Sequence, residues 1–194
     1  MTPVVTCTLL QGIPGSGKST LAAEMVKNDT QDPNMVTKVY CVTDYFYRNG
    51  VYTFNRYKLS EYYSHCMMLF AADSALFLRD RKENESFHAI VDNMNISHFA
   101  IRPYFDWMKK LQGMYQKLPM HFELVEPNTD WKYNPEECSR KSRHSATQEV
   151  CQQAYLDLFK AKNFETSEGT VVNQYLQYTL NRNTRNANTK TVGH

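Results

Sequence analysis

No CxxC pair occurs in the 194-residue chain, and its five cysteines, Cys7, Cys41, Cys66, Cys138 and Cys151, are scattered without metal-ligand spacing. That pattern argues against a zinc ribbon or a disulfide scaffold and predicts reduced, mostly buried thiols. Long apolar runs are also missing: the longest reach about eight residues, against the roughly 20 that a membrane helix needs. A basic leader is missing too. Met1-Thr2-Pro3 precedes an apolar run that leads straight into a glycine-rich loop. No signal peptide and no membrane partner are therefore expected, and the expected location is cytoplasmic or nuclear. Neither charge sign dominates, with 22 Lys and Arg against 20 Asp and Glu, so a nucleic-acid site must come from local clustering. What remains is 42% hydrophobic and long enough for one domain with a good core.

Glycine is scarce, at seven residues, yet three of them fall in Gly12-Ile13-Pro14-Gly15-Ser16-Gly17-Lys18-Ser19-Thr20. This segment meets GxxxxGK[ST], the phosphate-binding loop pattern. Its context fits. Val4 to Leu10 is a near-continuous β-branched run, as in a buried parallel strand, and Lys18 to Lys27 has helix composition. Gly12, Gly15 and Gly17, with Pro14 and Ser16 between them, let several backbone N–H groups turn inward at phosphates. The helix beginning near Lys18 adds its positive end. Lys18 is expected to reach the β- and γ-phosphates. The Ser19 hydroxyl is expected to ligate magnesium, with Thr20 on the same turn. ATP and Mg2+ are thus the expected ligands. An NKxD motif, which a GTPase would usually show, is absent.

Hydrophobic spacing predicts strands at 4–10, 39–42, 87–91 and 119–125, and helices at 18–27, 57–81, 99–117 (beginning near Arg102-Pro103, since proline suits a first turn), 135–143 and 148–161. A turn is expected around Asn49-Gly50. The alternation predicts an α/β protein: a three-layer α/β/α P-loop kinase fold with a central parallel sheet of four to five strands and a basic helical lid. Residues 1–165 are expected to form the kinase domain, and 166–194 a C-terminal extension rich in Asn, Thr and Arg.

Asp44 lies just past the second predicted strand, at the sheet end where ligands bind. Phosphoryl transfer to a hydroxyl needs a carboxylate beside the attacking oxygen, and Asp44 is the sole carboxylate between Asp32 and Glu61. A turn or helix-capping role is the alternative. Arg48, four residues on, is a candidate for an acceptor phosphate or a solvated turn residue. Asp92 ends the third strand as a Walker B aspartate would, holding magnesium, or else closes an Asx-turn. Asn93 and Asn95 either meet the acceptor or fix the local turn. Arg140, Lys141, Arg143 and His144 form the densest basic cluster; they read as a lid over the triphosphate or as a solvated helix face offset by Glu136 and Glu137. Tyr45, Phe46, Tyr47, Tyr52 and Phe54 surround Asp44 as base-stacking or core rings.

Across these segments the sequence resembles the polynucleotide 5′-kinase family of P-loop phosphotransferases. That family includes the phage end-healing kinase, the kinase-like domain of myelin cyclic-nucleotide phosphodiesterase and the kinase domain of ubiquitin-ligase-binding proteins. The matching segments are GIPGSGKSTLA (Gly12 to Ala22), TDYF with GVYTF (Thr43 to Phe46, Gly50 to Phe54), VDNMNI (Val91 to Ile96), RPYF (Arg102 to Phe105) and LVEPNTDWKYNPEECSRKSRH (Leu124 to His144). The resemblance implies ATP- and Mg-dependent phosphorylation of the 5′-hydroxyl end of RNA or DNA. It puts Lys18, Ser19, Asp44, Asp92 and Arg140 in the family's phosphate, metal, base and lid roles. Many relatives carry two aspartates where this chain has Thr43-Asp44, and the lid pattern RRNxHG becomes Arg140 to Ser145 with Lys141 at an arginine position. No histidine sits in an HxT or HxS pair, and no DxDxT motif occurs, so neither a fused phosphodiesterase nor a phosphatase is expected. A small-molecule P-loop kinase acting on a nucleoside, sugar or antibiotic hydroxyl is the alternative, followed by a nucleotide-binding switch with little catalysis. The sequence leaves oligomeric state open.

Overall fold

In the computed structural model, residues 4–163 are described, together with the backbone of 165–166 and 169–170. The extension expected over 166–194 lies almost wholly outside the described residues.

Strand β1 (Val5–Leu10) runs into the glycine loop, and helix α1 (Lys18–Asp29) leaves it. Strand β2 (Met35–Tyr40) ends in one 3₁₀ turn, Val42–Phe46, which carries Asp44. A small antiparallel hairpin follows, β3 (Tyr47–Arg48) and β4 (Val51–Tyr52). Its turn is the expected Asn49-Gly50, both residues with positive φ (50° and 79°), the conformation for which this dipeptide is favoured. A 3₁₀ turn, Arg56–Lys58, starts the long helix α2 (Leu59–Asp80). Then come β5 (Ser86–Val91), α3 (His98–Met114), β6 (Met120–Val125), α4 (Pro135–Lys141) and α5 (Gln148–Asn163). The backbone of β7 (Glu165–Thr166) pairs antiparallel with β8 (Gly169–Thr170).

The main sheet has four strands in the order β2-β5-β1-β6, every pairing parallel. Side chains alternate along β1, so Val5, Cys7 and Leu9 face one way, into a large core with Cys66 and Phe70 of α2 and Ile101 and Leu111 of α3. Leu10 faces the other way and packs with Ile90 and Ala22 under α1. A third cluster joins Ile13 of the glycine loop to Cys138 of α4 and Cys151, Ala154 and Leu158 of α5. The result is the expected three-layer α/β/α architecture of a P-loop kinase, with a short helix over the loop. Among the described residues no helix is long and apolar enough to cross a membrane.

Two element boundaries differ from expectation. The second strand was expected at 39–42 but runs from Met35 to Tyr40. Among the described residues it has a neighbour on one side only, and Val36 and Val39 are 40% and 43% exposed. An edge strand alternates apolar and polar residues, so Met-Val-Thr-Lys lacks the continuous apolar run that marks a buried strand. Helix α3 begins at His98 rather than near Pro103, because Ser97 caps it by accepting the Ala100 N–H (3.3 Å). Pro103 therefore sits inside the helix, where it has no N–H to give the Phe99 carbonyl.

Candidate active site

The phosphate loop joins the central part of the sheet to α1, and its backbone geometry explains its glycines. Gly15 and Gly17 have φ of 75° and 105°, values costly for any residue with a Cβ. At Gly15 space is also closed, since a Cβ there would stand 1.9 Å from the Cys138 carbonyl oxygen of α4. The loop is fastened from the segment before α4 as well. The Thr129 hydroxyl donates to the Ser16 carbonyl (2.9 Å) and the Trp131 indole N–H to the Gly15 carbonyl (3.2 Å). From α5 the Cys151 thiol points at the Pro14 carbonyl (3.7 Å), and Ile13 is fully buried.

Lys18 folds back over this loop. Its Nζ donates to the Ile13 carbonyl (2.8 Å), and the residue is 9% exposed. Burial lowers its pKa to about 8, partly offset by the negative charge of Asp92. Ser19 and Thr20, in the first turn of α1, face solvent. The Ser16 hydroxyl is buried without a partner among the described residues. A glycine loop at a helix N-terminus, one lysine capped only by its own loop and one orphan hydroxyl suit a polyphosphate.

Asp92 and Asn93 leave the end of β5 beside the loop, and both are buried. The Asp92 N–H bonds to the Tyr40 carbonyl of β2 (2.9 Å), while Asn93 Oδ1 accepts the Val42 N–H (2.8 Å). The 3₁₀ turn that carries Asp44 is thereby tied to the end of β5. Asp92 and the Ser19 hydroxyl are hard oxygen donors of the kind Mg2+ takes, with other positions left to phosphate and water. Among the described residues there is no cluster of three or more His, Cys, Asp or Glu able to hold a metal alone.

Asp44 itself is exposed. Partial desolvation raises its pKa from the ordinary aspartate value, the charge of Asp92 adds to the rise, and His144 opposes it. Around it stand the aromatic rings expected from the sequence. Phe46 is buried in the core and meets Tyr62 edge-on (4.9 Å), while Tyr45 stacks on the same Tyr62 (5.2 Å). Tyr47 and Tyr52 form the hairpin wall.

Several expected positions are engaged within the fold itself. Asn95, an acceptor candidate, is 1% exposed, and its Nδ2 donates to the carbonyls of Leu10 (2.8 Å) and Val91 (3.1 Å). Its backbone carbonyl accepts from Gln11 Nε2 (2.8 Å). Asn95, at φ 46°, therefore fixes the turn, the other reading of this residue. Asn93 is likewise engaged by backbone through Oδ1. Arg48 points its guanidinium at the Tyr62 hydroxyl (3.3 Å). Arg140 is held by Glu136 (2.9 Å) and Glu137 (3.0 Å) on its own exposed helix face, the bland arrangement expected from those glutamates. Lys141 lies over the Trp131 ring (4.3 Å). Arg143 is exposed.

His144 was part of the basic cluster but not singled out. Its ring stacks on Tyr52 (4.4 Å, 30°) and meets Tyr47 edge-on (6.0 Å), with Nδ1 buried and unpartnered among the described residues. Burial lowers its pKa, the Arg143 charge adds to this, and Asp44 and Asp92 pull the other way. The segment after α4 thus reaches the hairpin next to Asp44. No spacing rule links residues 52 and 144, so only the fold could bring them together.

Sheet order, loop geometry and the carboxylates at the strand ends define a protein of the P-loop kinase type. No family model matches the chain. It is 33% identical over 141 residues to NEDD4-binding protein 2 of Homo sapiens, a match that covers 73% of this chain and 7% of that protein. The polynucleotide-kinase resemblance read in the sequence thus has a curated counterpart over most of the chain, which spans only a small part of that relative's length. Among solved structures, one chain of the Pnkp1/Rnl/Hen1 RNA repair complex aligns with a TM-score of 0.46 and 14% identity, covering 84% of this chain and 47% of that one.

Proposed function

We propose that the protein is an ATP- and Mg-dependent kinase that moves the γ-phosphate to the 5′-hydroxyl end of a polynucleotide. The observation that carries this is convergence: the loop after β1, Asp92 after β5 and Asp44 after β2 meet at the carboxyl ends of three neighbouring strands. Residues 1–165 serve as the kinase unit.

In this reading the loop N–H groups and Lys18 hold the β- and γ-phosphates. Lys18 exchanges the Ile13 carbonyl for a phosphate oxygen. Ser19 and Asp92 would hold a magnesium ion, which would supply positive charge to offset that of the phosphates. Asp44 orients the 5′-hydroxyl and takes its proton. That oxygen forms the new bond to the γ-phosphorus while the β–γ bridging P–O bond breaks, leaving ADP. Arg48 turns from Tyr62 to meet an acceptor phosphate, and Arg140 and Arg143 meet the transferring phosphoryl group. The open position of Asp44 favours a chain end over an enclosed small molecule.

The test is transfer of label from γ-labelled ATP to a 5′-OH oligonucleotide. Asp44→Asn should lower transfer by about 10²–10⁴-fold and leave ATP affinity unchanged. Undiminished transfer by that variant removes Asp44 as the base. Label on free nucleosides alone would replace the polynucleotide with a small acceptor.

A further inference from the structure

Behind the Asn93 to Asn95 turn lies a groove of about 690 Å³ between the start of α2 and the start of α3. Tyr63, Met67, Met68, Phe99 and Pro103 supply apolar walls, and Arg56 stands in its lining. The fold leaves large apolar surface here: Phe99 is 88% exposed and Met68 59%. None of the catalytic steps above uses these residues.

Three features narrow what the groove holds. Its lining includes no carboxylate, and Arg56 is the one charged residue there among the described residues, so it suits a negatively charged occupant with apolar faces. It opens where α3 begins, with a Ser97 cap and no acidic residue in the first turn, an end that favours negative charge. The Asn93 to Asn95 turn ties it to the acceptor side: Met94 and Asn95 line the groove, and Asn93 holds Val42, two residues before Asp44. Bases stack on rings and thioethers without regard to sequence, and backbone phosphates seek the cation beside them. An apolar peptide would satisfy the walls but gains nothing from Arg56 or from the helix end.

We propose that this α2–α3 groove binds single-stranded polynucleotide, taking the nucleotides that follow the 5′ end placed at Asp44. The proposal rests on the kinase reading for its direction, but the binding can be measured without catalysis. Fluorescence anisotropy of 5′-OH hexanucleotides, in DNA and RNA arms and without ATP, should show Phe99→Ala weakening binding about tenfold. Arg56→Ala should reduce the slope of log affinity against log salt by about one. In the kinase assay, Phe99→Ala should raise KM for the hexanucleotide to a similar degree and leave KM for a nucleoside 3′-phosphate unchanged. Phe99 is so exposed that the variant should fold; Met68→Ala is the second probe, and melting curves check both. Unchanged hexanucleotide binding in both Phe99→Ala and Arg56→Ala overturns the proposal and leaves the groove to a protein partner. If no acceptor is phosphorylated at all, the kinase reading fails, while the anisotropy arm still decides the groove.

Discussion

The donor and acceptor sides of the site are built differently. The phosphate loop is fastened at almost every residue: Ile13 is buried, Gly15 lies against the Cys138 carbonyl, and Thr129 and Trp131 hold the carbonyls of Ser16 and Gly15. Asp44 is exposed on a single 3₁₀ turn, held chiefly through Val42 and Asn93. Its surroundings are rings in contact rather than directed bonds. Binding a triphosphate depends on fixed dipoles, which lose value if they must reorganise. Admitting a chain end needs an open approach. A tight donor side beside an open acceptor side is what such a division predicts.

That contrast can be broken from either side. Gly15→Ala should have the largest effect, because the Cβ meets both a closed φ and the Cys138 carbonyl. Nucleotide affinity and transfer should both fall at least about 100-fold, with a loss of stability of about 1–3 kcal/mol visible in chemical denaturation. On the acceptor side, Tyr52→Ala removes the face on which His144 stacks. It should raise KM for the 5′-OH acceptor about tenfold and leave ATP affinity unchanged; a parallel loss of ATP affinity would show that the two halves are not separate.

A pH titration separates them more finely. Lys18, lowered to about 8 by burial, loses its proton in free protein as pH rises through that value. A bound polyphosphate favours the charged form, so ATP affinity should weaken above pH 8 and binding there should take up a proton, seen by calorimetry in buffers of different ionisation enthalpy. Asp44 works in the opposite sense: its pKa is raised, so the acid limb of transfer should lie higher than an ordinary aspartate would set it. His144→Gln removes the opposing influence and should move that limb further up. The smallest effect on stability is expected at Arg140, whose ion pairs with Glu136 and Glu137 are exposed, 63% for the arginine. Arg140→Ala should change folding stability by less than about 0.5 kcal/mol.

How much of this was legible in the sequence follows the same division. The glycine loop is local: its residues, the strand before it and the helix after it are contiguous, so pattern alone located it. Asp92 followed from its place at the end of an apolar run. The role of Asn95 was not fixed by its neighbours, because its partners at Leu10 and Gln11 are some 85 residues away in the chain. The pairing of His144 with Tyr52 and the seating of Cys138 on Gly15 are equally non-local. The second strand was misplaced because its outward half is solvated, and a half-wet strand carries only half of the apolar signal.

Strand order has one more effect. Lys18 is attached behind β1, which has partners on both sides, whereas Asp44 hangs from β2 at the margin of the sheet. Margins open first in native-state fluctuations, since fewer contacts must be given up. A partial opening confined to β2 would carry the base away and leave the triphosphate cradle standing. An edge of the sheet would then act as a safety catch: a nucleotide-loaded protein that transfers nothing until that edge is closed, and whose amide exchange along β2 should slow when an acceptor is present.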